Sequence, residues 1–212
     1  MPALLDQGPL VWLDYLGIAV FAVSGALVAA EKRQNLVTFV FFAAATGMGG
    51  GTLRDLFIGA PVFWVGHNMS LLVCLGAALG VWFVARAPTA PKALLWFDAI
   101  GLAAYAVYGT EKALRYGIAP VPASAMGVMT ACAGGIVRDV LAGQPSILLR
   151  PEVYVTAAAL SATLYTAFTQ FEVQPIVAAV IASLLGFALR GAAISRGLGL
   201  PGFRAGPKDA GE

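Results

Sequence analysis

Charge is scarce in this chain: 13 lysines and arginines and 11 acidic residues stand among 212, so only 11% of the residues are charged. An average soluble domain carries about 25%. There is one histidine, His67, and there are two cysteines, Cys74 and Cys132. The cysteines stand in separate apolar runs and read as small packing residues, which excludes a disulfide framework or a thiolate metal cluster. A lone imidazole in a short loop adds no metal site, and no cofactor is expected. No nucleophile–base set or phosphate-binding loop stands in the chain, so an enzyme is not expected, and neither is a nucleic-acid partner. The first residues carry no basic stretch before the first apolar run, which argues against a removable signal peptide.

What is present is apolar. The chain is 59% hydrophobic with a mean hydropathy of +0.83. So much apolar surface exceeds what one small soluble domain can hide, and lipid resolves the excess. Seven apolar runs cover residues 10–30, 36–58, 68–85, 94–114, 121–142, 153–171 and 176–193. About 20 residues of helix cross a bilayer core. Helices satisfy their own backbone groups in lipid, and the ten-residue alternation of a barrel is absent. The expected fold class is therefore an all-α membrane protein of seven transmembrane helices. The tail, residues 195–212, is rich in glycine, proline and charge and is expected to be a disordered cytoplasmic end.

The basic residues set an expected orientation. With the N-terminus outside and the C-terminus cytoplasmic, the cytoplasmic side receives Lys32, Arg33, Arg86, Lys92, Arg150, Arg190, Arg196, Arg204 and Lys208. The outer side receives Lys112 and Arg115. That bias follows the positive-inside rule.

The chain also matches itself. An offset of 84 residues places Asp14 on Asp98, Gly17 on Gly101, Gly25 on Gly109, Gly59 on Gly143 and Pro61 on Pro145. In the same register Gly50-Gly51-Thr52-Leu53-Arg54-Asp55 falls on Gly134-Gly135-Ile136-Val137-Arg138-Asp139. The expected units are a first three-helix repeat at 10–86, a second at 94–171 and a seventh helix at 175–194. Three spans is an odd number, so the second copy must enter the membrane the opposite way, as an inverted repeat.

Glycines stand halfway along the second and fifth runs: Gly47 and Gly49 to Gly51, then Gly134 and Gly135. They serve either close helix packing or a break that lines a polar path. The Arg-Asp pair after each cluster sharpens the choice, since a charge at the centre of a membrane helix costs about 2.5–3.5 kcal/mol on insertion scales. Adjacent residues on a helix point in different directions. The expected solution is crossed pairing, Arg54 with Asp139 and Arg138 with Asp55, or contacts to carbonyls freed at the opposite glycine break. Asp14 and Asp98 read as helix-start residues that complement the helix dipole.

Two three-helix repeats, a seventh helix and the doubled Gly-Gly-x-x-Arg-Asp motif together resemble the trimeric intracellular cation channel family. The closer likeness is to its prokaryotic members, also described as a glycine-transporter-like domain. The resemblance implies a homotrimer in a cell membrane, with a pore for monovalent cations, mainly potassium, between the repeats of each protomer. It implies that kinked helices 2 and 5 line that pore through Gly49, Gly50, Gly51, Arg54, Asp55, Gly134, Gly135, Arg138 and Asp139. The third glycine of the first cluster is Ala133 in the second copy. The family gates through basic residues on the fourth helix, which makes Lys112 and Arg115 the gating candidates; by position alone they also suit interfacial anchors. Ser24, Tyr105 and Tyr108 are the candidate pore-lining hydroxyls. Membrane lipids are the other expected contacts. The alternative is a secondary transporter for a small solute such as glycine, because inverted repeats with central glycines suit a carrier equally well.

Overall fold

The computed structural model describes residues 8–85, 91–149 and 152–201. Its described part holds seven α-helices: α1 (Val11–Glu31), α2 (Leu36–Phe57), α3 (Met69–Val84), α4 (Pro91–Arg115), α5 (Pro120–Leu141), α6 (Val155–Gln170) and α7 (Pro175–Arg196). Five of them, α1, α2, α4, α5 and α7, are long and apolar enough to cross a membrane. Helices α3 and α6 have 16 residues each, or about 24 Å at 1.5 Å per residue, short of a ~30 Å hydrocarbon core. The protein is a multi-pass membrane protein.

Local sequence sets the helix ends. The side chain of Asn35 accepts the Thr38 N–H at 3.0 Å and caps α2. Pro120 and Pro175 open α5 and α7, where a missing N–H does no harm. Helices α2 and α5 end alike. Gly59 (φ 68°) and Gly143 (φ 62°) take the left-handed conformation, and the next N–H reaches back, Ala60 to the Asp55 carbonyl at 2.8 Å and Gln144 to the Asp139 carbonyl at 2.9 Å. This is the same glycine-terminated C-cap used twice.

Helices α1, α2, α4 and α5 form the centre, with α3 against α1 and α2, α6 against α4 and α5, and α7 against α4 and α6. Gly17 faces the Tyr105 ring and Gly101 faces the Phe21 ring, so α1 and α4 run antiparallel. Gly50 faces the Thr130 carbonyl and Gly134 faces that of Thr46, so α2 and α5 are antiparallel too. The outside is apolar, with Val37, Phe41, Phe83, Val84 and Leu184 all largely exposed, as lipid requires. Helix α7 continues through Arg196, and Gly199 bridges to Glu152, so the start of the expected tail is ordered. Residues 202–212 of that tail, and Arg86, Arg150, Arg204 and Lys208 of the orientation argument, lie outside the described residues.

Candidate functional site, a buried charge network

The two glycine clusters meet. Helical hydrogen bonding runs unbroken through both, which corrects the expectation of interrupted helices with freed carbonyls. A side chain added at Gly50 would run into the Thr130 carbonyl, and one at Gly134 would come within 2.8 Å of the Thr46 carbonyl. Gly49 opposes Val137 at ordinary van der Waals distance. Gly51 faces the Phe63 ring, and Gly135 faces the Tyr154 hydroxyl. The glycines thus bring two helix backbones together and seat two rings.

The charges lie just beyond this crossing, and they do not pair across it. Arg54 bonds its own neighbour, with Nε 2.8 Å from Asp55 Oδ1 and both side chains fully buried. Arg138 does the same, with Nε 2.9 Å from Asp139 Oδ1. The crossed pairing expected from the sequence is therefore wrong. The reason is reach: the long guanidinium arm curls round the helix to the adjacent carboxylate. In an interior where an unpaired charge is costly, that short path wins over the direction of the Cβ bonds.

The second carboxylate oxygen has its own task. Oδ2 of Asp55 accepts the Phe63 N–H at 3.1 Å, and Oδ2 of Asp139 accepts the Ile147 N–H at 2.9 Å. Each aspartate thereby ties its arginine to the loop that leaves the helix.

Further partners complete each centre. Arg138 Nη1 donates to Asp98 Oδ1 and to Ser24 Oγ, both at 2.6 Å. Asp98 lies well inside α4, beyond its first turn, so the expected dipole role gives way to an ion pair. Asp14, in the first turn of α1, is buried within electrostatic reach of Arg54. Arg54 lies 5.0 Å over the Tyr108 ring and 5.9 Å over that of Phe63. Ser24 and Tyr108 are matched by the 84-residue offset, and each contacts the arginine of the other repeat. The Tyr105 hydroxyl donates to the Gly47 carbonyl at 3.1 Å.

Lys112 is no interfacial anchor. It is fully buried, with Nζ 3.1 Å from Asp55 Oδ1. Arg115 stays partly exposed and pairs with Glu111 at 2.7 Å. A cavity of about 220 Å³ lies beside Asp14, lined also by Tyr15, Phe63, His67, Ser70 and Tyr108. Phe63, Ile147 and Tyr154 belong to none of the motifs in the sequence. Extending the offset beyond Pro145 pairs Phe63 with Ile147 and Ser70 with Tyr154, a signal that was available.

Known proteins are similar to this chain in sequence and fold. The sequence model of a family described as "Glycine transporter" matches residues 11–86 and again 95–170. A membrane protein of Vibrio cholerae, UPF0126, is 39% identical over 209 residues, covering 94% of this chain and 84% of its own. The UPF0126 inner membrane protein YadS of Escherichia coli K12 is 37% identical over 196 residues, covering 91% and 95%. The TRIC trimeric intracellular cation channel orthologue from Rhodobacter sphaeroides superposes with a TM-score of 0.87 at 44% identity, over 91% of this chain and 100% of that one. The chain belongs to the trimeric intracellular cation channel family. In this TRIC protein, then, the doubled match of the family sequence and the doubled arginine centre fall on the same residues.

Proposed function

We propose that this TRIC protein is a channel for monovalent cations, potassium foremost, with a conduit inside each protomer between the antiparallel repeats. The observation that carries this reading is the charge balance of the central helices. Among the described residues, three buried cations there, Arg54, Lys112 and Arg138, stand with five buried carboxylates, Asp14, Asp55, Asp98, Asp139 and Glu111, the last paired with the partly exposed Arg115. A passage lined by unmatched arginines would repel potassium; here the formal excess is acidic. Hydroxyls and carbonyls beside it, including Ser24, Tyr105 and Tyr108, then suit the partial dehydration of a cation.

The same reading takes the two halves as inverted repeats lining the conduit with α2 and α5, in a homotrimer. It places the protein in a cell membrane, with N-terminus outside and all seven helices traversing the bilayer, the short α3 and α6 with local thinning. Lys112 and Arg115 are its gating residues. The similarity to the Rhodobacter channel and the antiparallel packing support this.

Single-channel recording of purified protein in a potassium gradient tests it. Discrete current steps reversing near the potassium equilibrium potential are expected. No current, together with glycine-dependent uptake into liposomes, would replace the channel with a carrier.

A further inference from the structure

The two repeats differ at the side chain beside their charged centres. The offset that superposes Asp14 on Asp98 places Ser70 on Tyr154. Ser70 is buried, and next to it the cavity of about 220 Å³ opens between Asp14, His67 and Tyr108. At the matching place in the second repeat stands a tyrosine ring, 1% exposed. Its hydroxyl lies against Gly135, beside Oδ1 of Asp98 and Nη2 of Arg138. A Cβ at Gly135 would come within 2.8 Å of that oxygen, so the glycine makes the seat that the tyrosine fills.

The ring is held from behind. Arg190 of α7 lies 5.3 Å over its face, and the Arg190 guanidinium is fixed by Glu152 Oε2 at 2.5 Å. Glu152 is also bridged to Gly199 just past the end of α7. The counterpart of Glu152 in the first repeat is Asn68, and α7 packs on the second repeat's helices α4 and α6. One end of the proposed conduit is thus built around a small residue, and the other around a braced aromatic one.

We propose that Tyr154 is the plug of the conduit on the Asp98 side, braced by the Arg190–Glu152 pair, while Ser70 leaves the Asp14 side open. This rests on the conduit reading above. It makes Tyr154 and Ser70 the residues that render a pseudo-symmetric passage asymmetric, and α7 the element whose movement releases the plug.

A native probe lies near the ring. Cys132 is buried one helical turn before Gly135, within electrostatic reach of Asp98 and Tyr154. In a Cys74→Ala background, its reaction with a small cationic methanethiosulfonate reports whether water reaches this side. Tyr154→Ser is expected to speed that reaction roughly tenfold, since thiol modification follows exposure. It should also raise open probability about threefold by shifting the population of open protomers. Tyr154→Phe keeps the ring and should stay nearer the parent than the serine variant, and Glu152→Gln, which loosens the brace, should fall between. A folded Tyr154→Ser protein that reacts at the parental rate, or conducts with parental open probability, overturns the plug. If that variant does not fold, Glu152→Gln decides by the same rates, and a parental rate overturns the proposal. Faster thiol reaction with no current from any protein, parent included, keeps the plug and overturns the channel reading instead.

Discussion

Lys112 and Asp55 stand 57 residues apart in sequence and meet in the interior, with Nζ 3.1 Å from Oδ1 and 3.3 Å from Oδ2. Asp55 thereby accepts from Arg54, Lys112 and the Phe63 backbone at once. The second centre is weighted the opposite way, with one cation between two carboxylates. Arg138 has two carboxylates, Asp98 and Asp139, and the residue matched to Lys112 is Val28.

Lys112→Ala removes a cation from a carboxylate that keeps its arginine. Breaking a buried pair outright costs about 3–5 kcal/mol, and the retained Arg54 bond should hold the loss to the lower end, seen as a lower thermal midpoint in detergent. A unit charge crossing 100 mV corresponds to about 2.3 kcal/mol, so the current of this variant in planar bilayers should depend less steeply on voltage. An unchanged voltage dependence would remove Lys112 from gating and leave it a structural cation.

Asp139→Ala strips Arg138 of one partner and the Ile147 N–H of its acceptor. A loss of about 3–5 kcal/mol is expected from the broken charge network. Asp139→Asn keeps an oxygen for the N–H and should lose less. Equal thermal midpoints for the two variants would show that the loop bond contributes nothing.

Gly50→Ala places a methyl against the Thr130 carbonyl. Overpacking of this kind typically costs about 1–3 kcal/mol. Gly76, in α3, faces open space. There the same substitution should be neutral or gain up to about 1 kcal/mol through helix propensity. Thermal unfolding of the two variants side by side checks the contrast; matching shifts would refute the close approach of α2 and α5.

Tyr105→Phe removes only the hydroxyl that reaches the Gly47 carbonyl at 3.1 Å. A net loss of about 0.5–1.5 kcal/mol is expected for one hydrogen bond, with the ring still packed on Phe21 at 5.5 Å. If Tyr105 also touches the passing ion, single-channel conductance falls in the same variant.

The sequence by itself determined the membrane class, the places of the seven helices and the register that doubles Arg54-Asp55 as Arg138-Asp139. Those properties follow from local hydrophobicity, glycine and proline placement and the self-match, all of which are written along the chain. Only the tertiary structure decided who holds whom. Directions of side chains on an isolated helix argue against an Arg54–Asp55 bond, yet burial makes the nearest carboxylate the cheapest partner for a long, flexible cation. The sequence likewise put Lys112 at a helix end, where it suits an interface. The packing of α4 against α1 and α5 turned that end inward, because a residue's depth is set by its neighbours and not by its distance from the end of its own helix.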